Sequence, residues 1–188
     1  KFSATALGGI DILINNADAP GGLVMGPLDA ADPDELLSVI DTKVVGYWRS
    51  AKAAAPYMKS KGWGRIINIG GLAARSGGAI SGMRNLALSH FTKTLSNELG
   101  PFGITVNIVH PGVTRTERTA PLNEKQAAEN NLTVDEIDKK SAANLDIRRM
   151  VESEDIAHMT TFLASPKAAA ITGESIAAGG GAGAAVFQ

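Results

Sequence analysis

Asp11-Ile12-Leu13-Ile14-Asn15 is a short apolar run that ends in a polar residue. Three consecutive aliphatic side chains leave no polar face, which is typical of a strand covered on both faces in a parallel sheet. Three further apolar runs follow at residues 65–69, 104–109 and 175–178. The sequence therefore predicts four strands of one parallel sheet.

Helical patterns stand between these runs. Asp32 is predicted to cap a helix, with Pro33 in the first turn and Glu35 completing a capping box. Apolar residues recur at helical spacing as far as Ala51, and Pro56 is expected to kink or end the helix. Strands that alternate with helices predict βαβ units with right-handed crossovers.

The second half of the chain continues this alternation. A long helix is predicted over residues 81–99, closed by Gly100 just after its last turn. Thr133 and Glu136 form a capping box within a polar segment, residues 114–143, and Ser153 is predicted to cap a helix through Leu163. Because no repeat or linker divides the chain, we expect one α/β domain over residues 1–188.

Composition excludes several kinds of partner. The 188 residues carry a formal net charge of −1 and no cysteine. Because Lys and Arg are not clustered, we expect neither nucleic acid nor an anionic membrane as partner. The lack of cysteine excludes disulfides and thiolate metal sites and suits a cytoplasmic location. None of His90, His110 and His158 pairs with acids at ligand spacing, so no metal site is expected.

Several motifs follow one another in the order and at the spacing of one protein family. Residues 11–17 look like its Asn-Asn-Ala-Gly strand, and residues 64–69 look like its next strand. Residues 111–116 resemble its Pro-Gly-x-x-x-Thr turn, and residues 154–174 resemble its last helix and last strand. Over residues 11–181 the chain resembles the short-chain dehydrogenase/reductase family.

The resemblance implies a fold and a chemistry. The expected fold is a Rossmann-type, three-layer, doubly wound parallel sheet, of which this chain would be the C-terminal two-thirds. The expected chemistry is hydride transfer between NAD or NADP, bound at the carboxyl ends of the strands, and a small carbonyl or alcohol. The family also implies a homodimer or homotetramer.

The Gly-rich phosphate-binding loop of the relatives has no counterpart in the sequence. Gly8-Gly9 and Gly179-Gly180-Gly181 do not lie between a buried strand and a helix, so they do not replace it. We expect a truncated chain, because the strand at residues 11–15 would otherwise be an exposed apolar edge. A genuinely short protein is the alternative.

Four positions match the catalytic residues of the relatives, and all four differ from them. Gly71 stands at the position of the family's Ser, Ser81 at its Tyr, Asn85 at its Lys and Lys43 at its Asn. In relatives the Tyr transfers the proton, the Lys lowers its pKa and the Ser orients the carbonyl. A Ser hydroxyl is a poor acid near neutral pH, so the resemblance implies that catalysis is impaired or lost, as in a pseudoenzyme.

Lys43 and Asn85 look exchanged relative to the family. Tyr47 follows Lys43 by four residues on the same helical face. One hypothesis is that Lys43 and Tyr47 form a relocated catalytic pair. The alternative is that Tyr47 packs in the core or an interface and that Lys43 is partly solvated.

Six positions match residues that approach the cofactor in relatives, namely Asn15, Ala17, Ile69, Pro111, Gly112 and Thr116. Thr116 resembles the residue that holds the nicotinamide carboxamide, and a helix cap is its alternative role. Asp18 replaces a family Gly, and its negative charge is expected to weaken dinucleotide binding.

Three hypotheses about function follow. The first is a divergent oxidoreductase whose catalysis is impaired, and the second is a non-catalytic Rossmann-like module that binds a nucleotide or a protein. The third is a structural subunit, because the Ala-rich faces of the first long helix, with Ala51, Ala53, Ala54 and Ala55, permit close helix approach.

Overall fold

The computed structural model describes residues 2–19, 24–117 and 119–183. The strands of its larger sheet are β1 (Ile12–Asn15), β2 (Gly64–Ile69), β3 (Ile104–Pro111) and β6 (Ser175–Ala178). They are parallel and lie in the order β1-β2-β3-β6. A second sheet pairs the short strands β4 (Thr114–Arg115) and β5 (Val151–Glu152). The prediction of four parallel strands is confirmed.

Helices connect these strands. They are α1 (Phe2–Leu7), α2 (Pro33–Ile40), α3 (Gly46–Lys61), α4 (Met83–Leu99), α5 (Thr119–Asn130), α6 (Val134–Ala142) and α7 (Ser153–Ala164). A π-helical turn at Asp41–Val45 joins α2 to α3. The sequence pattern did not predict α1.

The core lies on both faces of the larger sheet. On one face, Met58 of α3 and Leu99 of α4 pack against Ile66 and Val106 of the central strands. On the other face, Leu163 of α7 packs in a cluster that includes Ile67 and Val109. Helices therefore cover the sheet from two sides, and the three-layer Rossmann-type α/β fold is confirmed.

Strand β1 is less covered than its sequence predicts. Leu13 packs against the core cluster on the α3 side, but Ile12 is 43% exposed and Ile14 is 49% exposed. Among the described residues β1 pairs only with β2, and α7 lies over β2, β3 and β6 instead. The described part of the chain thus shows the exposed apolar edge that is expected of residues 11–15 when no further strand lies beside them.

Two predictions about helix ends are only partly right, because α4 ends at Leu99 as predicted but Pro56 does not end α3. Pro56 lies inside α3, which continues to Lys61. A proline has no N–H to donate to the carbonyl of the preceding turn, but Pro56 is exposed, so that carbonyl lies near solvent. Gly100 keeps a right-handed helical conformation with φ of −53°. The left-handed turn occurs at Gly103, with φ of 71°, where a Cβ atom would collide with the carbonyl oxygen of Gly62.

The predicted helix caps are partly confirmed. The Thr133–Glu136 capping box is present, and Asp32 caps α2 by accepting a hydrogen bond from the Asp34 amide. Helix α7, however, is capped by Glu152 rather than Ser153, because the Glu152 amide donates to the carboxylate of Asp155.

The small residues of α3 serve the core of this chain. Ala51 and Ala54 are each 2% exposed and belong to the cluster around Met58 and Ile66. They allow α3 to lie close to the sheet, so these two alanines are not free to contact a second subunit, whereas Ala53 is exposed. Apolar side chains elsewhere on α3 and α4 are exposed, notably Trp48, Met83 and Leu86.

Candidate functional site

A cavity of about 440 Å³ lies beyond the carboxyl ends of the parallel strands. Asp18 follows β1, Gly70 and Gly71 follow β2, and Pro111 with Gly112 ends β3, so the parallel topology brings these residues to one edge. We call this the central cavity. Its charged and amide side chains are Asp18, Lys43, Arg84 and Asn85.

One carboxylate in the central cavity holds two cations. Lys43 Nζ and Arg84 Nη2 each lie 2.9 Å from the same Oδ2 atom of Asp18. The Ala19 amide donates to the other carboxylate oxygen at 2.9 Å. Lys43 also donates to the carbonyl oxygen of Gly70 at 3.2 Å. These contacts join the end of β1 to the π-helical turn and to α4.

Lys43 and Arg84 are buried despite their charges. The Lys43 side chain is 4% exposed and the Arg84 side chain is 2% exposed. Burial lowers the pKa of Lys43, and the nearby charge of Arg84 lowers it further, while the hydrogen bond and the charge of Asp18 act in the opposite direction. The ammonium is therefore held where its charged form is disfavoured.

The four family positions are only partly brought together. Gly71 and Asn85 line the central cavity, and a Cβ atom on Gly71 would lie 2.9 Å from Asn85 Nδ2. Lys43 lines the same cavity. Ser81 does not: it is fully buried, and its Oγ accepts a hydrogen bond from the Val24 amide at 2.8 Å. The Ser81 hydroxyl, which stands where the family has its Tyr, therefore binds the Val24 amide instead of facing the cavity.

Asn85 carries an unsatisfied acceptor. The residue is 2% exposed, and its Oδ1 atom has no hydrogen-bond partner among the described residues. Burying a carbonyl oxygen without a partner costs about 1–3 kcal/mol.

Tyr47 makes its hydrogen bonds to main-chain carbonyls rather than to Lys43. Its hydroxyl lies 3.0 Å from the Ala17 carbonyl oxygen and 3.1 Å from the Ile69 carbonyl oxygen. Its ring packs in the core with Leu88, and burial raises the pKa of the phenol. Tyr47 therefore binds strand-end carbonyls, while Lys43 binds Asp18 and Gly70.

A second cavity of about 550 Å³ lies on the other side of Pro111 and Gly112. We call it the edge cavity, because Ile14 and Asn16 of the β1 region line it. Four predicted cofactor positions line this cavity, namely Ile69, Pro111, Gly112 and Thr116. Residues of α7 line it as well. Gly112 lets the turn lie close to Gly179, since a Cβ atom at this position would come within 2.9 Å of Gly179 Cα.

Asn15 and Ala17 lie outside both cavities. Asn15 is buried, and its Nδ2 donates to Asn68 Oδ1 at 2.9 Å, while Asn68 in turn donates to Thr92. Ala17 offers its carbonyl to Tyr47. The neighbour Asn16 lines the edge cavity instead. Successive side chains of an extended segment point to opposite sides, so the sequence itself indicates that Asn15 and Asn16 face different surroundings.

Thr116 has a capping role as well as a place in the edge cavity. Its amide donates to Thr119 Oγ1 at 2.9 Å, and the Thr119 hydroxyl lies 2.9 Å from the Thr116 carbonyl oxygen. These bonds start α5. The two roles proposed from sequence, cap and cavity wall, are thus compatible in the structure.

His110 lies near the end of β3 and supports the loop that follows β2. It is fully buried, and its Nδ1 lies 3.0 Å from both the amide nitrogen and the carbonyl oxygen of Gly71. Its Nε2 lies 3.0 Å from Ser89 Oγ. Burial lowers the pKa of His110 to about 4, so the ring is neutral at pH 7 and supports the loop that carries Gly71.

Two negative findings concern the described residues. In residues 2–19, 24–117 and 119–183, no group of three or more His, Cys, Asp or Glu side chains is placed to hold a metal ion. Within the same ranges no helix combines the length and apolarity that a membrane span requires.

A three-layer α/β fold with cavities at the carboxyl edge of its parallel sheet defines a Rossmann-type protein. The chain belongs to the short-chain dehydrogenase/reductase family, and residues 1–183 match the family model described as enoyl-(acyl carrier protein) reductase. The resemblance of the motifs at residues 11–17 and 111–116 to this family is thereby confirmed.

Known relatives include reductases. The chain is 34% identical over 177 residues to the NADPH-dependent reductase BacG of Bacillus subtilis (strain 168), covering 93% of this chain and 67% of the relative. It is 36% identical over 180 residues to the 3-oxoacyl-(acyl-carrier-protein) reductase FabG of Vibrio harveyi, covering 93% of this chain and 67% of that protein. The chain therefore spans about two-thirds of the length of these relatives.

A solved structure shares the fold closely. YwfH, described as an NADPH-dependent reductase involved in bacilysin biosynthesis, matches with a TM-score of 0.85 and 31% sequence identity. The match covers 97% of this chain and 70% of that chain.

Proposed function

We propose that this protein binds NAD or NADP beside a small carbonyl or alcohol, and that its catalysis of hydride transfer is impaired or lost. The observation that carries the proposal is the position of Ser81. Its hydroxyl is fully buried and bonded to the Val24 amide, outside the central cavity, where it cannot give a proton to a carbonyl.

The edge cavity fits the nicotinamide end of such a cofactor. Its volume lies within the ~300–1,000 Å³ that small-molecule sites typically have. Asn16 and Thr116 offer an amide and a hydroxyl for the carboxamide and the ribose, and Ile69 with Pro111 would exclude water from the ring. The bound cofactor would supply a hydride, and Gly112 allows close approach to the turn between the two cavities.

Proton transfer is the step that these residues do not support. Gly71 has no hydroxyl to orient a carbonyl, and Asn85 has no charge with which to lower the pKa of a neighbouring acid. Lys43 is a charged donor in the central cavity, and weak residual reduction would depend on it. The relocated pair of Lys43 and Tyr47 remains a hypothesis, which Lys43→Ala and Tyr47→Phe would test on any residual turnover.

Restoring the family's residues should restore activity. In the variant Gly71→Ser/Ser81→Tyr/Asn85→Lys, NADPH-dependent reduction of ethyl acetoacetate should rise by about 10²-fold or more over the natural protein, since a positioned general acid contributes about 10²–10⁴-fold. The rate is followed by NADPH absorbance, and NADPH binding is measured separately by fluorescence titration.

The matched control replaces the restored Tyr by Phe. Gly71→Ser/Ser81→Phe/Asn85→Lys keeps the added volume at position 81 but lacks the phenol, so it should stay at the natural rate. Equal rates in the Tyr and Phe variants, or a natural rate already as high as that of the Tyr variant, would contradict impaired catalysis. If the natural protein failed to bind NADPH, the alternative of a binding or structural module would gain support.

We further propose that the protein is a single-domain, cytoplasmic homodimer or homotetramer. The absence of cysteine suits a reducing compartment. The exposed side chains of Trp48, Met83 and Leu86 on α3 and α4 support association. Light scattering after gel filtration should give two or four times the mass of one chain, and a Leu86→Glu variant should shift that mass toward the monomer.

A further inference from the structure

A primary amine lies in the wall of the central cavity. The Lys43 side chain is 4% exposed, and most other residues of the wall are apolar or glycine, with Leu72, Ala73 and Val113 among them. A lysine normally keeps its ammonium group in water, because this compact charge is strongly hydrated. Burial beside an apolar cavity favours the neutral amine, and the neutral amine is the nucleophilic form of the group.

Two acceptors hold the nitrogen of Lys43 in place. Nζ lies 2.9 Å from Asp18 Oδ2 and 3.2 Å from the carbonyl oxygen of Gly70, so it is fixed between the ends of β1 and β2. A neutral amine has two N–H bonds and one lone pair. The two acceptors can take both N–H bonds, which leaves the lone pair for a third partner.

Asp18 is placed to carry the protons of a reaction at this amine. Its side chain is 35% exposed, so the carboxylate can exchange protons with water as well as with Lys43. Burial lowers the pKa of Lys43, Asp18 opposes this through its hydrogen bond and its charge, and the charge of Arg84 lowers the pKa further. His110 also lies near Lys43, but its ring is neutral at pH 7.

We propose that Lys43 captures small aliphatic aldehydes in the central cavity as a covalent imine, with Asp18 carrying the protons. The cavity of about 440 Å³ has room for a chain of a few carbons beside its apolar side chains. This inference rests on the proposed function only in placing a carbonyl compound in this cavity, and the capture requires no nucleotide.

The reaction is balanced without an oxidant or a reductant. The ammonium of Lys43 gives a proton to Asp18, the neutral nitrogen forms a bond to the carbonyl carbon, and the carbonyl oxygen takes that proton. The nitrogen gives a second proton to Asp18, and the new hydroxyl takes this proton and leaves as water. The nitrogen lone pair then completes the C=N bond, and the protonated imine keeps its positive charge opposite the Asp18 carboxylate.

Reductive trapping tests the capture in the natural protein without any cofactor. Butanal and sodium cyanoborohydride at pH 7 would convert an imine into a stable butylamine, which mass spectrometry of peptides locates. Lys43 should be labelled at least several-fold faster than Lys125 and Lys167, which are exposed. The labelling rate of Lys43 should saturate with rising butanal, because binding in the cavity precedes reaction, whereas the rates at the exposed lysines should rise linearly.

Variants assign the adduct to its residues. In Lys43→Arg the saturable adduct should disappear, because a guanidinium keeps the charge beside Asp18 but stays protonated. Lys125→Arg, at an exposed position, is the matched control and should keep the adduct. Asp18→Asn should slow labelling of Lys43 by about tenfold or more, since the amide cannot carry a proton, although the charge that raises the pKa of Lys43 is gone.

Equal labelling of Lys43 and the exposed lysines, a linear rate at Lys43, or an unchanged saturable adduct in Lys43→Arg would overturn the inference. An unchanged or faster rate in Asp18→Asn would overturn the role of Asp18. Melting temperatures show whether each variant is folded, and the peptide map of the natural protein decides the question if a variant is not.

NADPH binding, measured separately by fluorescence titration, distinguishes this inference from the proposed function. A labelled Lys43 in a protein that does not bind NADPH would contradict only the cofactor role. NADPH binding without preferential labelling of Lys43 would contradict only the imine.

Discussion

Lowering the pH from 7 to 4 should reduce the free energy of unfolding by about 3 kcal/mol through His110 alone. The pKa of this buried ring is about 4 in the folded protein and 6.5 in an unfolded chain. Between these values the unfolded chain binds a proton that the folded protein does not, so acid favours unfolding. The stabilisation that comes from the neutral His110 ring is present above about pH 6.5 and is lost as the pH falls toward about 4.

The cause of this shift is the position of His110. Burial is the largest contribution that lowers the pKa, and the charges of Arg75 and Lys43 act in the same direction. The carbonyl of Gly71 opposes them. A protonated ring would also lose the hydrogen bond from the Gly71 amide to Nδ1, because that nitrogen would no longer be an acceptor.

The measurement is urea unfolding at several pH values between 7 and 4, in the natural protein and in His110→Asn. The Asn side chain keeps an acceptor near Gly71 but does not titrate, so the variant should have a much flatter dependence on pH in this window. His90→Asn is the matched control, since His90 is exposed on α4. A slope that survives in His110→Asn, or that disappears in His90→Asn, would refute the assignment.

A second titration lies below this window. The ion pair with Arg149 and the bond from the Glu152 amide lower the pKa of Asp155 to about 2, from an ordinary value of 3.8. A carboxyl with a lowered pKa stabilises the folded state above its unfolded value, and this stability is lost as the pH falls through the folded value. Asp155 therefore acts mainly below pH 4, and the slope between about pH 6.5 and 5 belongs to His110.

The sequence predicted the sheet well because its signal is local. A parallel strand between two helical layers needs an unbroken apolar run, and residues 65–69 and 104–109 have one. For β1 the same apolar run predicts cover on both faces, but it does not tell which neighbour supplies that cover. Coverage depends on elements far away in the chain.

The candidate site was harder to predict for a related reason. Alignment to the family identified Gly71, Lys43 and Asn85, and the structure brings all three to the central cavity. Alignment gave no indication that Arg84 shares a carboxylate with Lys43, because the contact joins residues 66 positions apart. Asp18 was interpreted only as a charge that repels phosphates, whereas the structure shows it as the counter-ion of two buried cations.

Because one carboxylate pairs with two cations, the loss of Asp18 and the loss of Lys43 should have unequal effects on stability. Asp18→Ala should lower the free energy of unfolding by about 3 kcal/mol, because it leaves two cations in the cavity wall without their carboxylate. The typical cost of breaking a fully buried pair is about 3–5 kcal/mol, and the lower end applies because the Asp18 side chain is 35% exposed. Lys43→Met should change stability by no more than about 1 kcal/mol, since one carboxylate and one guanidinium remain.

Urea unfolding at pH 7 in low salt measures both effects, with Asp29→Ala as the control for loss of an exposed carboxylate. Adding Lys43→Met to Asp18→Ala should recover more than half of the lost stability, because it removes the buried ammonium that the first substitution left without its carboxylate. Equal losses in the two single variants would mean that Asp18 and Lys43 act as an ordinary pair.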